Sequence, residues 1–174
     1  MQLNITNLII IIVYLHRGQG GAYMKVTYKG DYALKSLLDL SFNYGSSEVV
    51  PLSDISGRQN IPAKYLEQIM LVLKGAGYVK SKRGVGGGFS LAKHPRDITV
   101  GEIIKLIEGP IEPIACGKND YDSDCGEEEC CAFREVWLRV TDCISSIVDR
   151  VTFADIMRRV RELKEERMGY HYQI

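Results

Sequence analysis

Four of the five cysteines fall in one short acidic stretch, Cys116, Cys125, Cys130 and Cys131. Cys116, Cys125 and Cys131 are spaced C-x8-C-x5-C, with Cys130 beside the last. An odd number of thiols with no clear secretory signal favours a reducing cytoplasm, and a metal or redox role over a disulfide framework. Zinc ribbons use close C-x2-C pairs, and no histidine lies in or beside this stretch, His94 and His171 being distant in sequence. Thiolates on an irregular loop can instead wrap an iron–sulfur cluster. A cysteine nucleophile would need a histidine base nearby, and none is present in sequence.

Residues 109–131, GPIEPIACGKNDYDSDCGEEECC, are dominated by Pro, Gly and acids and read as a loop. Its acids are expected to be solvated. After it Phe133, Val136, Trp137, Val140, Ile144, Ile147, Val148 and Val151 trace an apolar stripe along a long helix. Dimerisation is the economical explanation for that face; packing on its own domain is the alternative. Cys143 lies in mid-helix and reads as a small core residue. Thr152 is placed to cap a last helix, Ala154 to about Glu166.

The most informative stretch upstream is Ile61 to Pro95. Leu66, Ile69, Met70 and Leu73 give one helix an apolar face at i, i+3, i+4, i+7. Pro62 suits its first turn and Gly75 and Gly77 its end. Residues 78–81 and 89–92 are strand-like, and the tip between them, Lys82-Arg83-Gly84-Val85-Gly86-Gly87-Gly88, is basic and glycine-rich. A helix followed by a basic hairpin is how a winged helix-turn-helix reads DNA. A phosphate-cradling loop is disfavoured, because Gly-Lys-Ser/Thr is missing and a strand follows instead of a helix. An ordinary flexible hairpin is the bland alternative.

Before that stretch, Thr27 begins a first helix with Asp31 in its first turn, ended by Gly45-Ser46-Ser47. Val49-Val50-Pro51 is an extended link, and Ser53 is placed to cap a short helix, Asp54 to Gln59. Another short helix runs from Gly101 to Glu108. Helix, short helix, turn, helix, hairpin is winged-helix order, and the expected fold is mostly α with a small β-hairpin wing and a long dimerisation helix. Formal net charge is +0, yet Met24–Arg96 holds 11 Lys/Arg against 5 Asp/Glu, and Asp97–Ile174 holds 10 against 17. A basic half built around such a pattern fits a polyanion partner.

Residues 1–23 differ from the rest. The apolar run Leu8 to Leu15 is far short of the roughly 20 residues that span a bilayer. We read it as an upstream extension with Met24 the natural start, against a membrane-leaning or partner-binding tail. No membrane partner is expected.

From Met24 the chain resembles the Rrf2 family of winged helix-turn-helix transcription regulators, in its IscR-like, cluster-sensing form. The resemblance rests on Met24-Lys25-Val26-Thr27 with Tyr32-Ala33-Leu34, on Pro51-Leu52-Ser53-Asp54-Ile55-Ser56 and on Tyr65-Leu66-Glu67-Gln68-Ile69. It continues through Arg83-Gly84-Val85-Gly86-Gly87-Gly88-Phe89 and Ile98-Thr99-Val100-Gly101-Glu102-Ile103 to the cysteine loop and its Trp-bearing helix. It implies a cytoplasmic homodimer on a near-palindromic double-stranded operator. The implied layout is a DNA-binding domain 24–108, a cluster-binding loop 109–131 and helices over 132–174. The Lys64–Gln68 helix would enter a major groove and the wing, with Arg83 and Gly84, a minor groove. Gln68 can pair with adenine and Glu67 can accept from cytosine N4. Arg83 suits a narrow minor groove, and Arg58, Lys64 and Lys82 suit phosphates. Tyr65 belongs either to this face or to the core.

The resemblance also implies an iron–sulfur cluster on Cys116, Cys125 and Cys131. Members with a [2Fe–2S] cluster carry a ligating histidine three residues after the third cysteine. Here that position is Arg134, which cannot ligate. In the nitric-oxide-sensing branch an aspartate eight residues from the start, reaching across from the other subunit, completes a [4Fe–4S] cluster. Counted from Met24 that residue is Asp31, so [4Fe–4S] is favoured over [2Fe–2S]. The plain reading of Asp31 is a first-turn acid favoured by the helix dipole. The signal expected is iron, redox state or nitric oxide. The alternative is a clusterless regulator controlled by thiol redox or a partner protein.

Overall fold

The computed structural model describes residues 26–111 and 131–170. The extension 1–23 and the loop positions Cys116, Cys125 and Cys130 lie outside these. The chain folds as six helices and one hairpin among the described residues: α1 (Tyr28–Phe42), α2 (Leu52–Gln59), α3 (Ala63–Gly75), β1 (Val79–Lys82), β2 (Gly88–Leu91), α4 (Val100–Glu108), α5 (Ala132–Val148) and α6 (Phe153–Tyr170), with a 3-10 turn at Pro95–Asp97 before α4. This is the expected mostly helical architecture with a small antiparallel wing.

Helix α1 begins where Thr27 accepts a hydrogen bond from the Lys29 N–H, and Ala33, Leu37 and Leu40 turn into the core. Helix α2 starts at Leu52, one turn-residue before Ser53, which was expected to cap it. Pro51 takes the cap position because its fixed φ of −59° suits the entry and its carbonyl accepts from the Asp54 and Ile55 N–H groups. The Ser53 hydroxyl instead donates to the Asp54 carboxylate at 3.0 Å. Asn60, left-handed at φ 51°, ends α2 and turns the chain into α3.

Leu66, Ile69, Met70 and Leu73 of α3 are all buried, as their spacing predicts. Its exit is a Schellman arrangement: Gly77, at φ 78°, donates to the Lys74 carbonyl and Tyr78 to the Leu73 carbonyl. Because Tyr78 closes the helix, β1 begins one residue later than the sequence suggests, at Val79. The hairpin pairs Val79 with Leu91 through Lys82 with Gly88. Val50 adds a third, single-residue rung on the far side of β2, exchanging two 2.8 Å hydrogen bonds with Phe89. The link 49–51 therefore anchors the wing to the helix-turn-helix.

Helix α4 opens with a capping box between Thr99 and Glu102. Its last residue, Glu108, reaches back to α1, where one carboxylate oxygen accepts from the Thr27 hydroxyl (2.6 Å), the Thr27 N–H (3.1 Å) and the Gly30 N–H (3.0 Å). The start of α6 returns to the same body: Val100 donates to the Val151 carbonyl, Phe153 to the Ile98 carbonyl, and the Phe153 ring joins the core of α1 to α4. Helix α6 runs further at both ends than the expected Ala154–Glu166.

Against the described remainder of the protein, none of the 17 residues of α5 is buried. Trp137, Thr141, Ile144 and Val148 are half-buried, while Phe133 and Val136 stand 76% and 52% exposed. Cys143, expected as a core residue, is exposed on this outward side. The helix is held to its own domain along a narrow strip, and mid-helix position did not reveal which side Cys143 would take. One tie at its end is the Lys105–Asp149 ion pair at 2.6 Å.

Candidate nucleic-acid interface and cysteine site

Burying Leu66, Ile69, Met70 and Leu73 leaves the opposite side of α3 to solvent. Lys64, Tyr65, Glu67 and Gln68 are all exposed there, in the first turns of the helix. Tyr65, whose place was open between surface and core, is 61% exposed. Leu71 was not singled out from sequence because it lies off the i, i+3, i+4, i+7 face. It is 69% exposed and falls three residues after Gln68 and seven after Lys64. That omission from the buried face was the signal.

The wing carries Lys82, Arg83 and Gly84, all exposed, with Val85 fully exposed at the tip. Gly84 and Gly86 adopt φ of 97° and 74°, which side-chain-bearing residues rarely take. The Gly87 N–H closes the tip on the Gly84 carbonyl at 2.8 Å. At the root, a Cβ on Gly88 would collide with the backbone carbonyl of Val50. The glycine run is thus a structural requirement of a tight, anchored hairpin, and the basic side chains at its tip point away from the core.

Arg58 is placed differently from the other basic candidates. Its Nε and Nη2 donate to the two carboxylate oxygens of Asp39 at 2.9 and 2.7 Å, and Gln59 adds a 3.1 Å bond to the same carboxylate. Asp39 is nearly buried in α1, whereas the Arg58 side chain stays about half exposed. The hydrogen bond to Asp39 holds the Arg58 pKa above its ordinary value. Arg58 therefore clamps α2 to α1, with about half of its side chain left exposed.

Of the expected cluster ligands, Cys131 and Asp31 are described. Cys131 is the N-cap residue of α5, half-buried, free, and with no capping hydrogen bond from its side chain. Asp31 lies in the first turn of α1, one residue beyond the Gly30 N–H that Glu108 caps, and accepts from Lys35 at 2.6 Å. That ion pair is of the exposed i, i+4 kind, worth about 0.3–0.5 kcal/mol, so it holds the carboxylate weakly. Among the described residues no three His, Cys, Asp or Glu side chains gather as a metal site. The donor chemistry of Cys131 fits a cluster, whereas the Asp31 carboxylate is engaged by Lys35. Among the described residues no helix is long and apolar enough to cross a membrane.

The Rrf2 profile, described as an iron-dependent transcriptional regulator, matches residues 26–159. The solved structure of CymR, the global cysteine regulator of Bacillus subtilis, is 34% identical, covers 78% of this chain and 97% of its own, and superposes with a TM-score of 0.65. That of T. potens IscR is also 34% identical, covers 80% and 90%, and gives 0.64. The transcriptional regulator IscR of Vibrio atlanticus is 36% identical over 135 residues, 78% of this chain and 76% of that protein. All are regulators and none is an enzyme. With the helix-turn-helix, the wing and the long α5 in place, this chain belongs to the Rrf2 family of DNA-binding transcription regulators.

Proposed function

We propose that the chain acts as a homodimer that binds a near-palindromic operator and adjusts its affinity through an iron–sulfur cluster. The observation that carries the DNA half of this reading is the outward face of α3. Lys64, Glu67 and Gln68 stand exposed on a helix whose other side is the domain core, beside a wing tipped with Lys82 and Arg83. Base-edge contacts from Gln68 and Glu67 would give sequence preference, and the basic side chains would fix the register on phosphates. Dimerisation is supported by Phe133, Val136, Val140, Cys143 and Ile147, which recur at alternating three- and four-residue steps along α5, three of them exposed.

Cys116, Cys125 and Cys131 would hold the cluster, with Asp31 of the other subunit as fourth ligand and [4Fe–4S] favoured over [2Fe–2S]. When bound, such a cluster supplies redox and ligand-exchange chemistry towards oxygen, iron supply or nitric oxide. The chain's own part is to present Cys131 at the start of α5 and Asp31 at the start of α1. The tie between sensor and reading head is then made of protein. The loop leaves α4 directly after Glu108, and Glu108 caps the helix that carries Asp31.

Anaerobic purification with iron and sulfide counts tests the cluster. A brown protein with visible absorption, lost in Cys116→Ala, Cys125→Ala or Cys131→Ala but kept in Cys130→Ala and Cys143→Ala, is expected. Operator affinity of holo and apo forms tests the coupling: Asp31→Ala should keep a cluster yet show a smaller holo/apo ratio than the parent. Equal ratios would remove Asp31 from the scheme. A colourless protein that still binds its operator would favour the second reading, a clusterless regulator run by thiol redox or a partner. The likeness to CymR, a cysteine regulator, supports keeping it.

A further inference from the structure

Lys64, Gln68 and Leu71 form the centre of the α3 face that points directly away from the buried Leu66, Ile69, Met70 and Leu73. At 100° per residue the three lie within about 60° of one another, with Glu67 and Lys74 along one side and Tyr65 along the other. Leu71 is the apolar member of this face and more exposed than Tyr65. Gly75, next along the same face, carries no side chain, so nothing from α3 shields Leu71 on that flank. Scattered exposed leucines need no explanation in general. This one lies one turn beyond Gln68 on the side of α3 proposed above to enter the major groove, where side chains would be covered by base edges.

We propose that Leu71 is a specificity residue that reads the C5-methyl group of a thymine in the major groove. The inference rests on α3 being the recognition helix and adds a base contact to it. The chemistry is selective. In the major groove thymine presents a methyl group where cytosine presents hydrogen, and a leucine side chain can contact that methyl while offering no hydrogen bond to any base. Continuity with Gln68, one turn earlier, places the thymine next to the base pair Gln68 reads. Lys64 on this face and the exposed Lys74 along its side favour a polyanion and argue for DNA over a second protein as the surface that covers Leu71.

The test removes the methyl from the DNA and the leucine from the protein separately. A site is selected from random duplexes with the full-length protein, and each thymine in it is replaced singly by deoxyuridine. The parent should lose roughly three- to fivefold affinity at one or two adjacent positions per half-site, the worth of one buried methyl. Leu71→Ala and Leu71→Ser should bind the unmodified site more weakly by a similar factor and show no further loss at those positions. Both should melt with the parent, since residue 71 is on the surface. Leu71 variants that keep the parent's deoxyuridine profile, or a parent insensitive to every replacement, would overturn the proposal while leaving α3 as a reading helix. A protein that selects no sequence, or a Gln68→Ala variant with the parent's preference at every base pair, would overturn the recognition-helix reading itself.

Discussion

Asp39 and Arg58 form a pair whose two halves differ in solvent access, and the difference decides how each substitution behaves. The Asp39 side chain is 7% exposed and that of Arg58 48%. Arg58→Ala strands a nearly buried carboxylate with Gln59 as its remaining neighbour in this cluster, and should cost about 3 kcal/mol or more. Asp39→Ala frees a guanidinium that water already reaches, and should cost clearly less, about 1–2 kcal/mol. Urea denaturation of the two variants measures the order; equal losses would mean the carboxylate is better hydrated than its place in α1 indicates. The reading residues split by another criterion. Gln68→Ala should relax preference at one base pair by about 1–3 kcal/mol and leave binding to unrelated DNA nearly unchanged. Lys82→Ala should weaken binding to all sequences alike and flatten the salt dependence by about one unit per reading head. Titrations on selected and scrambled duplexes at several salt concentrations separate the two roles.

Among the elements, the wing depends on a contact that its own sequence does not contain. Gly88 lies against the Val50 carbonyl, and Val50 holds Phe89 by two hydrogen bonds. Gly88→Ala should force the rung apart, cost about 1–3 kcal/mol, and reduce DNA affinity beyond what the stability loss explains. The check is operator affinity measured well below the melting temperature. The first turn of α6 is tied by Asp155, whose carboxylate accepts from the Thr152 hydroxyl at 2.6 Å and the Thr152 N–H at 3.1 Å. That hydroxyl bond, ahead of the opposing effect of burial, holds the Asp155 pKa below its ordinary value. Its contribution is therefore complete above the ordinary carboxylate range and lost as pH falls through the lowered folded value. The acid side of the melting-temperature profile should be shallower in Asp155→Asn. Much of this layer was legible in sequence: the buried face of α3, the glycine tip and the order of helices follow from spacing and local chemistry. The Val50 rung, the Glu108 cap on α1 and the outward turn of Cys143 were not. Each depends on a neighbour tens of residues away, and periodicity reports which residues share a face without saying what that face meets.

For the molecule as a whole, the reading head and the C-terminal helix share one core. Phe153 is 2% exposed within the single hydrophobic core, although it lies 45 residues beyond the end of α4. Phe153→Ala should cost about 3–5 kcal/mol, a large part of what a domain of this size has to spare. A fragment ending at Glu108 should accordingly lack a cooperative melting transition, whereas a chain with residues 112–130 replaced by a short flexible linker should keep it. Calorimetry on the two distinguishes them, and a sharp transition in the short fragment would show that Phe153 is dispensable. The position of Phe153 also bears on synthesis. Domains usually fold from the N-terminus as they leave the ribosome, but here the head is expected to close only once the segment carrying Phe153, translated after the cysteine loop, has emerged. A nascent chain should therefore complete its DNA-binding surface after its thiols are already outside the tunnel, and a message truncated within the loop should yield no folded DNA-binding fragment.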